Sequence, residues 1–314
     1  MASEGQAPRV DRSVALPDGR CLAYAEYGDP GGSPVLAFHG LPGSRLSWGM
    51  LPDSPIPPGV RLIAPDRPGY GRSAPNPGRD LLAWADDVAR LADALSLERF
   101  ALLGVSGGGP GALACAWKMP ERLTSVGVVS SAAPSDAPGV FEGMSRTNHF
   151  FMRLAWRLPW LSRLNLRLLA KVIRRDPARY IDAMQYKVDA VDRAILARPE
   201  IRRMLVEDFA EAVRTGADGM VGDMSANHGR PWGFELGEIA AHVHFWFCEL
   251  DRSVPAAMGR YLAGAIPGCE ATFVSNAGHL WVLVHLREVL EIVARASDGG
   301  AARTRARVAK LSTR

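Results

Sequence analysis

Three residue types along this chain could together perform nucleophilic acyl transfer. They are the serine of Gly104-Val105-Ser106-Gly107-Gly108, one of seven histidines, and an aspartate that follows an apolar run. A serine hydroxyl is a weak nucleophile at neutral pH. It needs a base to take its proton, and the base needs a carboxylate to hold its tautomer and stabilise the imidazolium. Ser106 stands between the apolar run Arg99–Leu103 and the helix-compatible segment Gly111–Trp117, so it reads as the tip of a strand-to-helix turn. Such a turn leaves almost no room for side chains two residues before and two after the serine, and both positions are glycine. The serine itself takes a sparsely populated backbone conformation. The Gly107 amide opens the following helix, where free N–H groups favour an anion. With 32 glycines in 314 residues, the five-residue string is weak by itself. The strand before it and the helix after it give it weight.

Among the histidines, His279 is preferred as base. It lies in Asn276-Ala277-Gly278-His279, after the strand Ala271–Val274 and before the last helix, which puts it at the sheet edge where Ser106 emerges. His39 ends a strand at the same edge and reads as shaping a turn. His242 and His244 share one face of a strand and read as packing residues. His285 reads as a helix-face residue, and His149 and His228 fall in or near a later helical stretch. Asp251 leads as the acid because it follows the apolar strand His244–Cys248 and a turn, shortly before a helix begun by Pro255. The bland reading of Asp251 is a carboxylate that caps that helix. Asp136 and Glu249 are the alternatives.

Two further strands end in loops with character of their own. Val35–Phe38 runs into His39-Gly40-Leu41-Pro42-Gly43, and Val60–Ala64 runs into Pro65-Asp66-Arg67-Pro68-Gly69-Tyr70-Gly71-Arg72-Ser73. With the serine turn, in this order and approximate spacing, they resemble the α/β-hydrolase superfamily over roughly residues 10–136 and 233–296. The resemblance implies a triad in the chain order Ser106, Asp251, His279. It also implies an oxyanion hole built from the backbone amides of Leu41 and Gly107. One departure is Glu249, which stands where the family's acid segment usually has glycine. Asp66 and Arg72 read as loop ties. Relatives that transfer alkyl groups need an aspartate at position 106, so haloalkane dehalogenases and soluble epoxide hydrolases are excluded. The resemblance implies no cofactor, and no His/Cys/Asp cluster shows metal-ligand spacing.

The elements that must position these residues read as strands near 11–16, 21–27, 35–39, 60–64, 99–105, 125–131, 242–248 and 270–274. Helices read near 80–96, 109–119, 255–265 and 281–295. Apolar strands alternating with amphipathic helices predict an α/β fold with a mostly parallel sheet of about eight strands, the α/β-hydrolase fold. The pattern breaks after Pro134. Residues 138–232 are helical in composition and read as an inserted cap, with 1–137 and 233–296 as the core and 297–314 as a basic, disordered tail. Helices crowded with Phe150, Phe151, Trp156, Trp160, Tyr180, Met184 and Tyr186 are expected to bury most of these, with a minority lining an apolar pocket.

Composition agrees with an enzyme core. With 47% hydrophobic residues, a chain of this length buries a large core. No apolar run approaches the ~18 residues of a membrane span, and residues 1–8 show no secretory signal. Cysteines 21, 115, 248 and 269 lack paired spacing and read as buried free thiols, which places the protein in the cytoplasm. The insertion carries sixteen basic against eleven acidic residues, read as the wet faces of amphipathic helices. No nucleic-acid motif accompanies them. The expected activity is carboxylic-ester hydrolysis of small apolar or aromatic substrates. C–C bond hydrolysis of diketone-like substrates, a proline-iminopeptidase-like amidase and a non-catalytic ligand receptor are the alternatives. The oligomeric state is left open.

Overall fold

The computed structural model describes residues 10–49 and 55–295. The expected basic tail at 297–314 lies outside the described residues, as do residues 1–9. Among the described residues, eight strands form one sheet: β1 (Val10–Ala15), β2 (Cys21–Gly28), β3 (Ser33–Phe38), β4 (Val60–Pro65), β5 (Phe100–Val105), β6 (Leu123–Val129), β7 (Val243–Cys248) and β8 (Glu270–Val274). Their spatial order is β1-β2-β4-β3-β5-β6-β7-β8. β1 and β4 pair antiparallel with β2, and every other pairing is parallel. The fold is therefore an α/β sheet, mostly parallel, with β5 held between β3 and β6.

Among the described residues, ten α-helices accompany the sheet: α1 (Leu81–Ala94), α2 (Gly109–Lys118), α3 (Arg146–Arg157), α4 (Pro159–Arg175), α5 (Pro177–Gln185), α6 (Ala190–Leu196), α7 (Pro199–Ala212), α8 (Asp218–His228), α9 (Ala256–Ala265) and α10 (Val282–Arg295). The central strands are apolar throughout because both faces are covered, and the two-residue period divides them. Leu36 and Phe38 of β3 join α1, α2 and α9 in one core cluster. Val35 and Ala37 join α10 in the other. α1 starts where the Asp80 side chain accepts the Ala83 N–H at 2.8 Å, an N-cap that satisfies a free helix donor. Its Leu81, Trp84, Ala85, Val88 and Leu91 are buried at helical spacing.

The turn after β5 is jammed between β3 and α2. Ser106 has φ +53°. A Cβ on Gly104 would lie 2.8 Å from both the Ala112 Cβ and the Gly109 Cα, and one on Gly108 would run into the Phe38 carbonyl oxygen. Only glycine lets β5, β3 and α2 approach this closely.

α3 to α8 lie between β6 and β7 in the chain. α8 docks on the loop after β4, where the Gly219 N–H donates to the Gly69 carbonyl at 3.2 Å. The aromatic residues of this stretch depart from expectation. Phe150, Trp160 and Tyr186 are 60%, 66% and 89% exposed, and Trp156 is also exposed. For Trp160 the reason is that α4 buries its opposite face, Ser162, Leu166, Ala170 and Ile173, so its outer row has nothing to pack on. The thiols also differ from the reading of four buried cysteines. Cys115 and Cys248 are buried, Cys269 is intermediate and Cys21 is exposed at the start of β2, and all four are unpaired. Among the described residues, no helix is long and apolar enough to cross a membrane.

Replacing Gly108 by alanine should lower the unfolding free energy by about 1–3 kcal/mol, since backbone rather than a flexible side chain must move. Urea unfolding of Gly108→Ala measures this. An unchanged midpoint would show that the turn is not packed as described.

Candidate active site

Ser106, His279 and Asp251 come from three separate strand ends and meet at one edge of the sheet. The Ser106 Oγ lies 3.0 Å from His279 Nε2, and His279 Nδ1 lies 2.6 Å from Asp251 Oδ2. A carboxylate only accepts, so Nδ1 carries the proton and Nε2 presents its lone pair to the serine hydroxyl. The other Asp251 oxygen accepts the Ser253 and Val254 amides at 2.8 Å each, which holds the carboxylate in place toward the imidazole. Burial disfavours the imidazolium, but the Asp251 carboxylate, with Asp192 behind it, raises the His279 pKa above its ordinary value.

The alternatives lie elsewhere. Asp136 and Glu249 are exposed. His285 pairs with Glu288 at 2.9 Å, His149 stacks on Phe141, and His228 Nδ1 lies 2.9 Å from the Ser135 Oγ. His39 is fully buried, with Nδ1 2.9 Å from the Gly40 carbonyl and Nε2 accepting the Arg67 amide at 3.2 Å. Burial and the neighbouring Arg67 charge push its pKa well down, so it stays neutral and shapes its loop. Asp66 is buried and accepts the Arg45 and Arg72 amides at 2.7 and 3.0 Å. Arg72 contributes this backbone amide while its side chain is half exposed.

Leu41 packs directly against Gly107, the residue that follows the serine. A Cβ on Gly107 would lie 3.4 Å from the Leu41 nitrogen and 2.9 Å from the Leu41 Cβ. The Gly107 amide belongs to the first turn after Ser106, where helix N–H groups lack intrahelical partners.

Several residues that support this arrangement gave no signal in the sequence. Arg67 donates to the His39 carbonyl and, at 3.0 Å, to the Gly40 carbonyl. Its charge is met by Asp223 of α8, at 2.5 Å, which also holds Arg79 and accepts the Tyr70 hydroxyl at 2.9 Å. Against the cost of burial, the two guanidiniums hold the Asp223 carboxyl well below the usual range. One helical turn on, Asn227 donates to the Gly107 carbonyl at 3.0 Å. Asp192 of α6 accepts the amides of His279 and Leu280 at 2.8 and 2.9 Å. A side chain at Gly278 would collide with that carboxylate. Each partner lies tens of residues or more from the group it holds, so no local pattern announces it.

Ser106 opens on a cavity of about 140 Å³, walled by Trp48, Met184, Met204, Leu205, Phe209 and Leu283 among others. Asp208 of α7 is the one carboxylate on this wall among the described residues. It accepts the Ser44 amide at 2.8 Å and the Ser44 and Ser47 hydroxyls at 2.6 and 2.8 Å. Burial outweighs these bonds and pushes its pKa up to about 7.

A second cluster lies at the opposite edge of the sheet, where β7 and β8 begin. The parallel register sets His244 beside Glu270, and ligand atoms of His242, His244 and Glu270 lie within 4.8 Å of one another. His244 is buried, stacked near Trp246, but His242 is exposed, so the reading of both as packing residues holds only for His244. Among the described residues, these three form the group whose donor atoms could hold a metal, and they stand apart from Ser106.

A family profile described as alpha/beta hydrolase fold matches residues 33–286. A non-heme chloroperoxidase of Streptomyces lividans is 37% identical over 124 residues, 39% of this chain and 45% of that protein. The matched part is thus less than half of that relative's length. A 2-hydroxy-6-oxononadienedioate/2-hydroxy-6-oxononatrienedioate hydrolase of Cupriavidus pinatubonensis is 25% identical over 86% of this chain and 89% of its own. Among solved structures, a thermophilic esterase from Thermogutta terrifontis superposes with TM-score 0.64 at 24% identity, covering 95% of this chain and 99% of that one. That superposition speaks to the fold alone.

Asp208 should make stability depend on pH. Burial raises its folded pKa to about 7, above the ordinary carboxylate range, so the folded state keeps a proton that the unfolded state releases. Its contribution is full below about pH 4 and is lost as the pH rises through about 7. Urea unfolding of wild type and Asp208→Asn across this range checks it. The variant should lose the decline, and parallel curves would contradict the assignment.

Proposed function

The chain belongs to the alpha/beta hydrolase fold family, and on that premise we propose that it is a serine hydrolase that cleaves carboxylic esters. The observation that carries this reading is the relay from Asp251 through His279 to Ser106 at the mouth of an apolar cavity. His279 takes the Ser106 proton as the serine oxygen attacks the ester carbonyl, and Asp251 stabilises the imidazolium so formed. The oxyanion is held by the amides of Leu41 and Gly107, donors aimed where charge develops. His279 returns the proton to the leaving alkoxide, leaving an acyl-serine. Water then attacks that ester by the same steps and frees the acid.

The helices between β6 and β7 act in this reading as a cap. Their Met184, Met204, Leu205 and Phe209 wall the cavity, which suits an uncharged acyl group. The relative named as a 2-hydroxy-6-oxononadienedioate hydrolase keeps C–C bond hydrolysis of a diketone-like substrate as the second reading for this chain. No lysine or arginine lines the cavity among the described residues, which leaves a dicarboxylate without a counter-charge and favours the ester. An aminoacyl amide is disfavoured as well, because Asp208 already accepts three hydrogen bonds. Unpaired cysteines agree with a reducing, cytoplasmic setting.

A fluorophosphonate should modify Ser106, and Ser106→Ala should lower kcat by about 10⁶. Asp251→Asn should cost on the order of 10⁴, with Asp136→Asn near wild type. An adduct elsewhere by mass spectrometry, or the two aspartate results reversed, would refute the triad.

Aryl ester turnover should rise from acetyl to about butyryl or hexanoyl, up to about fourfold per methylene, and then fall as the cavity fills. A parallel panel of vinylogous diketones and aminoacyl amides separates the readings. A flat ester profile with faster diketone cleavage would replace the ester assignment.

A further inference from the structure

The outer face of α4 is apolar where a surface helix is ordinarily polar. Trp160, Leu164, Leu168 and Val172 repeat every fourth residue and are 66%, 49%, 54% and 53% exposed. Phe150 and Trp156 of α3 and the linking Leu158 extend the patch, at 60%, 38% and 44%. Single exposed apolar residues are ordinary, but a contiguous row of this size marks a surface that something covers.

Charge says what kind of surface it fits. From 146 to 175 the chain holds eight lysines and arginines and no aspartate or glutamate. Arg163, Arg167, Lys171, Arg174 and Arg175 are exposed beside the apolar row of α4. A second copy of this chain would bring like charge against like charge. The sequence at 297–314, itself basic, would meet the same repulsion. An apolar row with tryptophan at one end and a basic border is instead the pattern of a helix lying in the plane of an anionic bilayer, with its apolar side chains among the acyl chains and its cations at the phosphates.

We propose that α3 and α4 form a peripheral docking surface for anionic phospholipid bilayers. The helix lies on the membrane and does not cross it. The placement gives the surface a use. α4 packs its other face on α5 and α7, the helices that supply Tyr180, Met184, Met204 and Phe209 to the cavity wall. Docking therefore sets the cavity one helix layer from the lipid, where apolar esters concentrate. The surface itself does not depend on the reaction at Ser106, and its binding is measured without turnover.

The full chain should co-sediment with phosphatidylcholine vesicles containing phosphatidylglycerol, and not with pure phosphatidylcholine. Raised salt should weaken the binding. The double variant Leu164→Ser, Leu168→Ser should lose about tenfold or more in partition coefficient, and Arg163→Glu, Arg167→Glu should lose the preference for anionic vesicles. All of these residues are exposed, so circular dichroism and turnover of a soluble aryl ester should stay at wild-type values and report intact protein. Failure of the folded wild type to bind anionic vesicles overturns the proposal, as does undiminished binding by the Leu164→Ser, Leu168→Ser protein. A wild-type dimer in sedimentation velocity that this variant abolishes would also overturn it, by showing the face to be a contact between copies. Vesicle binding with an inert Ser106 would leave the surface standing and refute only the esterase reading.

Discussion

The buried ion cluster of Arg67, Arg79 and Asp223 is the constraint on which this architecture turns. Each of the three side chains is 2% exposed, so none can stand without its partners. Two buried cations lie against one carboxylate, and the surplus is met by acceptors that the fold supplies, the His39 and Gly40 carbonyls. Those carbonyls belong to the loop that brings Leu41 to the serine turn. The same carboxylate is on α8, which reaches Gly107 one turn later through Asn227. Satisfying the charges therefore orients the loop, seats α8 and steadies the serine turn in one event.

The other side of the site follows a similar rule. Asp192 on α6 takes the His279 and Leu280 amides, so the histidine loop is held by a residue outside the sheet. Asp251, by contrast, is held by its own turn through the Ser253 and Val254 amides. The serine turn and the histidine loop are thus both braced from the helices between β6 and β7, and Asp251 is braced locally. Positioning of this kind narrows the geometry available to the imidazole, which in the proposed hydrolase would lower the cost of reaching the reactive arrangement.

The helices between β6 and β7 also present two different surfaces. Their inner surfaces wall a cavity lined mostly by apolar side chains, with Asp208 tied down by Ser44 and Ser47 so that its polarity is spent within the wall. Their outer surface on α3 and α4 mixes cations with unburied tryptophan and leucine. A helix that is apolar on both sides and charged between them cannot be read from its composition as having one buried face.

The fold was legible because its signals are local. Strand runs such as Val35–Phe38 and Phe100–Val105, the capped pattern of α1 and the two glycines about Ser106 each act within a few residues, and β5, α2 and the sheet follow from them. Ser106, Asp251 and His279 could be singled out for the same reason, each standing just past a recognisable strand. What folding alone decided are the pairings across long separations. Arg67 finds Asp223, His279 finds Asp192, and Glu270 comes beside His244 only through the β7–β8 register. The faces of α4 were undecided as well, since the same helical period fits either face inward until α5, α7 and α8 choose one. Burial and pairing are properties of neighbours in space, and a sequence without its fold does not say who those neighbours are.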